Sequence, residues 1–328
     1  MSKSTIYDVA KLANVSTATV SRFLNKNSHI EKEKVRAIED AIFQLNYRPR
    51  KRRKGHRSMS IGVLMPSLND AFSLEILDGI RSMASQYNYQ MVIEPYNWDK
   101  NTEISLLIDF KKRKLDSVII VVGCSSFVEV KSILEDTPTL FVCRKENDIY
   151  PVLWGDNIIG GSIATNHLLQ LGHREIAHLS GSDNSFDSID RKTGFLKSFE
   201  RAGLPVNPNL IVDGGLSLEG GFEATNKLIN KGLRFSAIFA ANDLSAFGAI
   251  QALHQHKIRV PEDVSVIGFD DHKICDYFIP RLTTIKQPLF NIGQLAYQSI
   301  LDIMCGEPSD VSIPPFEVII RESTLKLT

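Results

Sequence analysis

The sequence of 328 residues predicts an all-α helix-turn-helix head followed by a two-lobed α/β body, with parallel sheets covered by helices on both faces. The first 47 residues hold three short apolar-periodic segments and no strand pattern. From Ser58 onward, short apolar runs alternate with amphipathic helical segments. Four runs begin at intervals of about 30 residues, and four later runs repeat that rhythm, so we expect two similar lobes.

The sequence pattern predicts three helices in the head. Thr5 to Ala13 has one apolar face, and Asn14 follows, a residue type that tolerates the left-handed conformation of a tight turn. Ser16 is placed to cap a second helix, Ser16 to Leu24, which buries Val20 and Leu24. A third helix, roughly Glu31 to Leu45, closes the small core. Two short helices joined by a turn of three or four residues suit the major groove of DNA.

The body should contain mostly parallel strands. The predicted strands are Ile61–Met65, Met91–Glu94, Val118–Val122, Thr139–Val142, Val152–Trp154, Ile176–Leu179, Leu210–Val212, Ala237–Ala240 and Val264–Phe269. Ligands bind beyond the carboxyl ends of strands in open parallel sheets. The cleft between the two lobes is therefore the expected ligand site.

The net charge of zero conceals two oppositely charged parts. Residues 1 to 60 carry 14 Lys and Arg against 5 Asp and Glu, and the remaining residues carry 24 against 33. A protein neutralises phosphate charges only where its basic residues touch them. A basic head on an acidic body therefore indicates that the head alone binds a polyanion.

Several classes of protein are disfavoured. No run of about 18 apolar residues is present, and the polar, helix-like start does not resemble a signal peptide, so we expect a cytoplasmic protein with no membrane partner. The four cysteines are scattered, which favours neither a disulfide framework nor a metal site. No phosphate-binding loop, nucleophile elbow or His-Glu-x-x-His occurs, and the Gly-Leu-Ser-Leu-Glu-Gly-Gly segment ending at Gly221 is not expected to lie between a strand and a helix. We expect no enzyme activity, no cofactor and no metal.

Motifs along almost the whole chain resemble the lactose/galactose repressor family of bacterial transcription regulators. The first is Thr5-Ile-Tyr-Asp-Val-Ala-Lys-Leu-Ala-Asn-Val-Ser-Thr-Ala-Thr-Val-Ser-Arg-Phe-Leu-Asn25. The others are Glu39 to Pro49, Leu171 to Ala177, Ala241 to Gly248, Val260 to Asp270 and Leu282 to Pro288. The resemblance implies a homodimer, possibly a tetramer, whose body is similar to periplasmic sugar-binding proteins. Its double-stranded DNA operator would be a near-palindrome, and a small effector would alter operator affinity.

The resemblance places base contacts on Thr17, Ala18 and Arg22. Arg22 suits a bidentate contact with guanine, and the methyl groups of Thr17 and Ala18 suit a thymine methyl. Residues that would touch the DNA backbone or support the helix are Tyr7, Ser16, Thr19, Ser21 and Asn25. The alternative is that these side chains form only the solvated face of a small helical domain.

The predicted linker departs from the family. The family has a hinge helix whose leucine enters the minor groove, but Arg50 to Arg57 offers no large apolar side chain before Met59. We expect its basic residues to contact phosphates or a narrow minor groove; they include Arg50, Lys51, Arg52, Arg53 and Lys54. A flexible charged linker is the alternative.

The resemblance also gives candidate effector contacts: Phe72, Arg191, Leu216, Asn242, Asp270 and Gln287. Phe72 would stack on a ring, Arg191 at the opening of a helix would bind hydroxyls, and Asn242 and Asp270 follow strands. Leu216 stands where some relatives have an aromatic residue, and Cys143 stands where many have an aspartate. We expect a small polar effector, with a sugar favoured over a purine.

The expected organisation is a DNA-binding domain (1–47), a basic hinge (48–58) and an effector-binding and dimerisation domain (59–328). Within the last, the N-lobe would hold 59–157 and 289–315, and the C-lobe 158–288 and 316–328. The prediction is a repressor of transcription controlled by its effector. The alternative is a solute-binding protein of the sugar-transport type without a regulatory role.

Overall fold

A computed structural model describes residues 6–24, 31–45, 58–145, 148–181, 185–307 and 311–327. The chain divides by its contacts into two compact units. The first contains 1–57 and 301–310, and the second contains 58–300 and 311–328. None of the helices in the described ranges is long and apolar enough to cross a bilayer.

The first unit contains a helical head built as the sequence predicts. Its helices are α1 (Ile6–Leu12), α2 (Thr17–Leu24) and α3 (Lys32–Gln44). Asn14 adopts the expected left-handed conformation, with φ of 51°, between α1 and α2. Ser16 caps α2, since its Oγ accepts from the backbone N–H of Thr19 at 3.1 Å. Val9, Val20 and Ile38 are fully buried, so one side chain from each helix closes the small core.

The N-lobe of the second unit is a five-stranded parallel sheet with helices against it. In chain order its elements are β1 (Ser60–Met65), α4 (Ala71–Ala84), β2 (Gln90–Pro95), α5 (Lys100–Lys112), β3 (Ser117–Val121), α6 (Phe127–Leu134), β4 (Thr139–Val142) and β5 (Val152–Leu153). The strand order is β2-β1-β3-β4-β5. Residues of β1, β3 and β4 are buried throughout, which explains their continuous apolar runs.

The C-lobe is a six-stranded sheet. Its elements are α7 (Asn157–Gln170), β6 (Ile176–Ser180), α8 (Phe186–Arg201), β7 (Ile211–Asp213), α9 (Leu218–Asn230), β8 (Ala237–Ala240), α10 (Asp243–Gln255), β9 (Ser265–Asp270), β10 (Thr283–Lys286) and β11 (Glu317–Ile319). The strand order is β11-β10-β9-β8-β6-β7, and only the β10–β11 pair is antiparallel.

A long helix, α11 (Leu289–Cys305), lies between β10 and β11 in the chain and packs on α4 of the N-lobe. A Cβ at Gly79 would lie 2.1 Å from the carbonyl oxygen of Phe290, and one at Gly293 would lie 2.1 Å from that of Ile76. The two helix backbones therefore meet where neither can carry a side chain. The ring of Tyr297 lies 5.6 Å from that of Tyr87 and extends the contact.

Candidate functional site

Arg191, a candidate effector contact, is a buried cation on α8 of the C-lobe. It occupies the second turn of α8, so the expectation that it opens this helix is wrong; Ser185 caps α8 and Phe186 begins it. Arg191 is 5 % exposed. Its Nε donates to Asn157 Oδ1 at 2.9 Å, and its Nη1 donates to the carbonyl of Ala241 at 2.6 Å. These bonds fix the plane of the guanidinium.

Asp270 ends β9 and forms an ion pair with Arg191. Its Oδ1 lies 3.5 Å from Arg191 Nη2, and the amide of Gln287 donates to the same oxygen at 2.5 Å. The centre of the Phe269 ring lies 3.9 Å from the guanidinium carbon of Arg191. Burial raises the pKa of Asp270 because the ion pair with Arg191 does not fully offset the loss of water.

Asp187 and Asp190 share the inner face of α8 with Arg191, and neither was predicted from the sequence as a site residue. Asp187 Oδ1 accepts from Asn157 Nδ2 at 2.9 Å. Asp190 Oδ1 forms an ion pair with Lys145 Nζ at 2.7 Å. The spacing i, i+3, i+4 within a capped helix was the signal that could have revealed them.

The segment after β4 supplies the opposite wall of the cleft. Lys145 reaches Asp190, and Cys143 takes the left-handed conformation, with φ of 56°. Burial raises the pKa of the Cys143 thiol, and the nearby carboxylate of Asp187 raises it further. The thiol therefore stays protonated and neutral. Cys143 thus offers no charge at the position where the resemblance implies an aspartate, while α8 presents carboxylates from the facing lobe.

Asn242 has a structural role in this arrangement. Its Oδ1 accepts from the backbone N–H of Ser245 at 2.9 Å and caps α10. Its Nδ2 donates to the carbonyl of Leu216 at 2.9 Å. These bonds use one of the two N–H donors and one of the two acceptor lone pairs of the amide, and the others remain for the predicted pairing with effector hydroxyls. Leu216 is held at this point with φ of 53°, and its Cγ lies 2.5 Å from where a Cβ on Gly181 would lie.

Phe72 lies in the first turn of α4 and is half-buried. Asp70 caps this helix by accepting from the N–H of Ser73 at 2.7 Å. The Asp70 carboxylate also raises the pKa of Asp270, so the start of α4 faces the end of β9. Phe72 thus lies at the end of α4 that faces β9.

The buried carboxylate of Asp243 stabilises the strands that carry the candidate site. Asp243 is 2 % exposed and accepts from the Thr284 hydroxyl at 2.5 Å and from the N–H of His272 at 2.7 Å. Burial raises its pKa, and the charge of Asp270 raises it further. Since His272 lies just after β9 and Thr284 lies within β10, Asp243 connects the end of β9 to β10.

Only part of the predicted DNA-binding set falls within the described residues. Ser16 is exposed, and Thr17 and Thr19 are half-buried on the first turn of α2. Tyr7 is 39 % exposed and its hydroxyl donates to Asp302 at 2.7 Å within the first unit. The side chains of Ala18, Ser21 and Arg22 lie outside the described residues, although their backbone belongs to α2. Also outside are Asn25, Arg50, Lys51, Arg52, Arg53 and Lys54.

One serine lies in a different context from that expected. Ser217 is located between β7 and α9, so the expectation that it lacks a strand-to-helix context is wrong. Its Oγ accepts from the N–H of Gly220 at 3.0 Å and caps α9. This bond gives the hydroxyl the role of a helix cap.

The basic helical head and the two-lobed body correspond to two family models. Residues 5–50 match the model described as bacterial regulatory proteins, lacI family, and residues 165–324 match a periplasmic binding protein-like domain. The chain is 31 % identical to the transcriptional repressor PurR of Haemophilus influenzae over 98 % of both chains. It belongs to the lacI family of bacterial transcription regulators. The match over 5–50 supports a regulator and not a solute-binding protein without a regulatory role.

Solved structures agree with this assignment over the whole chain. The lac repressor dimer bound to its operator and the anti-inducer ONPF has a TM-score of 0.76 and 28 % identity, covering 99 % of this chain and all of that one. A complex of the transcriptional regulator CelR with cellobiose has a TM-score of 0.72 and 25 % identity, covering 98 % and 99 %. The fold is thus a helix-turn-helix head on a two-lobed, periplasmic-binding-protein-like body.

Proposed function

We propose that this regulator is a repressor that binds a near-palindromic operator as a homodimer and releases it when a small polar effector enters the cleft. The convergence of Arg191, Asp270 and Gln287 between the lobes carries the proposal. The guanidinium of Arg191, the carboxylate of Asp270 and the amide of Gln287 provide hydrogen-bond donors and acceptors in fixed directions. Such a set suits a hydroxyl-rich ligand. The CelR structure contains cellobiose, which supports a sugar-like effector.

Six residues are proposed to line the effector site: Phe72, Arg191, Leu216, Asn242, Asp270 and Gln287. Of these, Arg191, Asp270 and Gln287 are connected by direct polar contacts. Asn242 joins them through the backbone, because Arg191 donates to the carbonyl of Ala241. Phe72 and Leu216 provide the apolar edges, one from each lobe.

The proposed organisation is a DNA-binding domain at 1–47, a basic hinge at 48–58 and an effector-binding and dimerisation domain at 59–328. Arg22 is proposed to read a guanine, and the basic hinge residues to bind phosphates. The lac repressor structure is a dimer on DNA, which supports two heads on one two-fold axis. Sedimentation of the protein alone and with operator tests this stoichiometry.

The proposed site of action is the cytoplasm, and no enzymatic step is proposed. The relatives are bacterial DNA-binding regulators, whose target is the chromosome.

The test begins with selection of a preferred operator, followed by titration of sugars into the complex. Asp270→Ala should bind operator like the wild type but respond poorly to the active compound. A lost charge-assisted hydrogen bond costs about 1.5–3 kcal/mol of effector affinity, or roughly 10- to 150-fold. The exposed Asp136→Ala is a matched control. An unchanged response by Asp270→Ala contradicts the site, and an unfolded variant shows that Asp270 is structural.

A further inference from the structure

The described part of the cleft contains more carboxylates than cations. The groups near one another are Asp70, Asp187, Asp190 and Asp270, with Asp243 behind, and their cationic neighbours are Arg191 and Lys145. Each of Asp187 and Asp190 belongs to α8, so the excess is concentrated on one helix face.

Both cations already have protein partners. Arg191 uses Nε for Asn157, Nη1 for the carbonyl of Ala241 and Nη2 for Asp270. Lys145 bonds one oxygen of Asp190. An anionic effector would therefore compete with these partners for the two cations while approaching several carboxylates.

Asp190 has an acceptor that nothing in the described residues fills. Its side chain is 3 % exposed, and Oδ2 has no hydrogen-bond partner there. The other oxygen receives Lys145 from the facing lobe, so the carboxylate is directed at the cleft. A buried carboxylate oxygen without a donor costs free energy until a donor arrives.

Asp187 is one turn away on the same face. Burial raises its pKa, and the charge of Asp190 raises it further, while Arg191 and Lys145 lower it. Beside the cations Arg191 and Lys145 lie three carboxylates, those of Asp187, Asp190 and Asp270. A further positive charge between Asp187 and Asp190 would stabilise both.

We propose that the effector is an amino sugar, whose ammonium group binds between Asp187 and Asp190 and whose hydroxyls bind Arg191 and Asp270. This inference rests on the proposed effector function of the cleft. The ammonium has three donors, which match the free oxygen of Asp190 and the carboxylate of Asp187. Charge-assisted bonds of this kind are stronger than those of a neutral hydroxyl.

The experiment compares matched sugars that differ in charge. Calorimetry at neutral pH is performed with D-glucosamine, D-galactosamine and D-mannosamine, each against the parent hexose, the N-acetyl derivative and the hexose 6-phosphate. We expect at least one amino sugar to bind at least about tenfold more tightly than its parent and its N-acetyl derivative, the ratio that corresponds to about 1.4 kcal/mol. The N-acetyl compound keeps the nitrogen and removes the charge.

Two variants localise the charge effect. Asp187→Asn and Asp190→Asn should each reduce the preference for the amine over the parent hexose at least severalfold, whereas Glu200→Gln on the exposed face of α8 should not change it. Thermal unfolding verifies that each variant is folded. If one variant does not fold, the other provides the test.

The outcomes separate this inference from the proposed function. A neutral hexose that binds as tightly as its amine and releases operator overturns the amino-sugar inference and leaves the proposed function intact. An amino sugar that binds with the expected preference but leaves operator binding unchanged supports the inference and contradicts the proposed function. The inference is also overturned if none of the three amines binds.

Discussion

Lys145 and Asp190 form an ion pair across the cleft, with Nζ 2.7 Å from Oδ1. Lys145 follows β4 of the N-lobe, and Asp190 lies on α8 of the C-lobe. The lysine side chain is half exposed and the aspartate is buried. The pair is thus a direct connection between the lobes, and loss of Lys145 would leave the charge of Asp190 buried without its cationic partner.

Lys145→Ala should lower the free energy of unfolding by about 1–2 kcal/mol, because Asp190 loses its cationic partner; the lysine's exposure keeps the loss below that of a fully buried pair. Urea denaturation of the effector-free protein measures this. The double variant Lys145→Met/Asp190→Leu should recover most of the loss, since it removes both charges. Lys197→Ala, an exposed position on α8, is the control. Equal stabilities of Lys145→Ala and wild type would show that the pair contributes nothing.

Arg22→Ala should remove the preference for operator over random DNA while weak, salt-sensitive binding persists. A bidentate contact with guanine is worth about 1–3 kcal/mol, and a dimer loses it twice. Gel-shift titrations on operator and on a scrambled duplex give the specificity ratio. Arg36→Ala removes the same charge from the exposed side of α3 and should lower both affinities together. If Arg22→Ala kept the wild-type specificity ratio, Arg22 would not be the residue that recognises the operator sequence.

Replacing Lys51, Arg52, Arg53 and Lys54 with glutamine should weaken binding to all DNA sequences. The slope of log K against log salt should become shallower by roughly 0.9 for each lost phosphate contact. Operator bending, measured by circular permutation gel shift, should change little because no apolar wedge is present. A large fall in bend angle with an unchanged salt slope would indicate instead that the tract kinks the DNA.

The protein should lose stability as the pH falls from 6.5 toward 4, partly through His178. This ring is fully buried, its Nδ1 donates to the carbonyl of Phe239 at 3.0 Å, and Nε2 has no partner among the described groups. Burial lowers the pKa of His178 to about 4, below its ordinary value, so its neutral form stabilises the native state and acid removes that stability.

The contribution of His178 over this range is about 3 kcal/mol, from the size of the pKa change. His178→Phe should therefore show a shallower decline in unfolding free energy between pH 6.5 and 4, whatever its stability at neutral pH. His254→Ala, at an exposed position on α10, should keep the wild-type slope. Parallel pH profiles of wild type and His178→Phe would contradict the assignment.

Much of the fold follows from sequence because continuous apolar runs mark buried parallel strands, as in β1, β3, β4 and β8. β10 and β11 were missed as strands. β10 reads Thr-Thr-Ile-Lys and carries two buried threonines, whose hydroxyls bond other groups, so burial there is not accompanied by an apolar pattern. β11 has three residues and depends on pairing with β10, which is a tertiary contact.

The candidate site was predictable where motifs end strands, as at Asp270, and less so along α8. The sequence identified Arg191, but its position in the second turn depends on the start of α8 at Phe186. Asp187 and Asp190 resemble ordinary surface acids until the helix face is known. At Asn242 the sequence indicated a ligand contact but did not indicate that the same amide caps α10.

The placement of α11 has a consequence for biosynthesis. This helix covers α4 of the N-lobe through the Gly79 and Gly293 contact, yet it is made after β10 of the C-lobe. Domains that are continuous in sequence can fold in turn as they leave the ribosome. Here the N-lobe cannot complete its packing, and the surface of α4 stays uncovered, until nearly the whole chain has been translated. A nascent chain halted near residue 288 should therefore expose apolar surface on its first lobe and depend on chaperones, although all five strands of that lobe's sheet are already present.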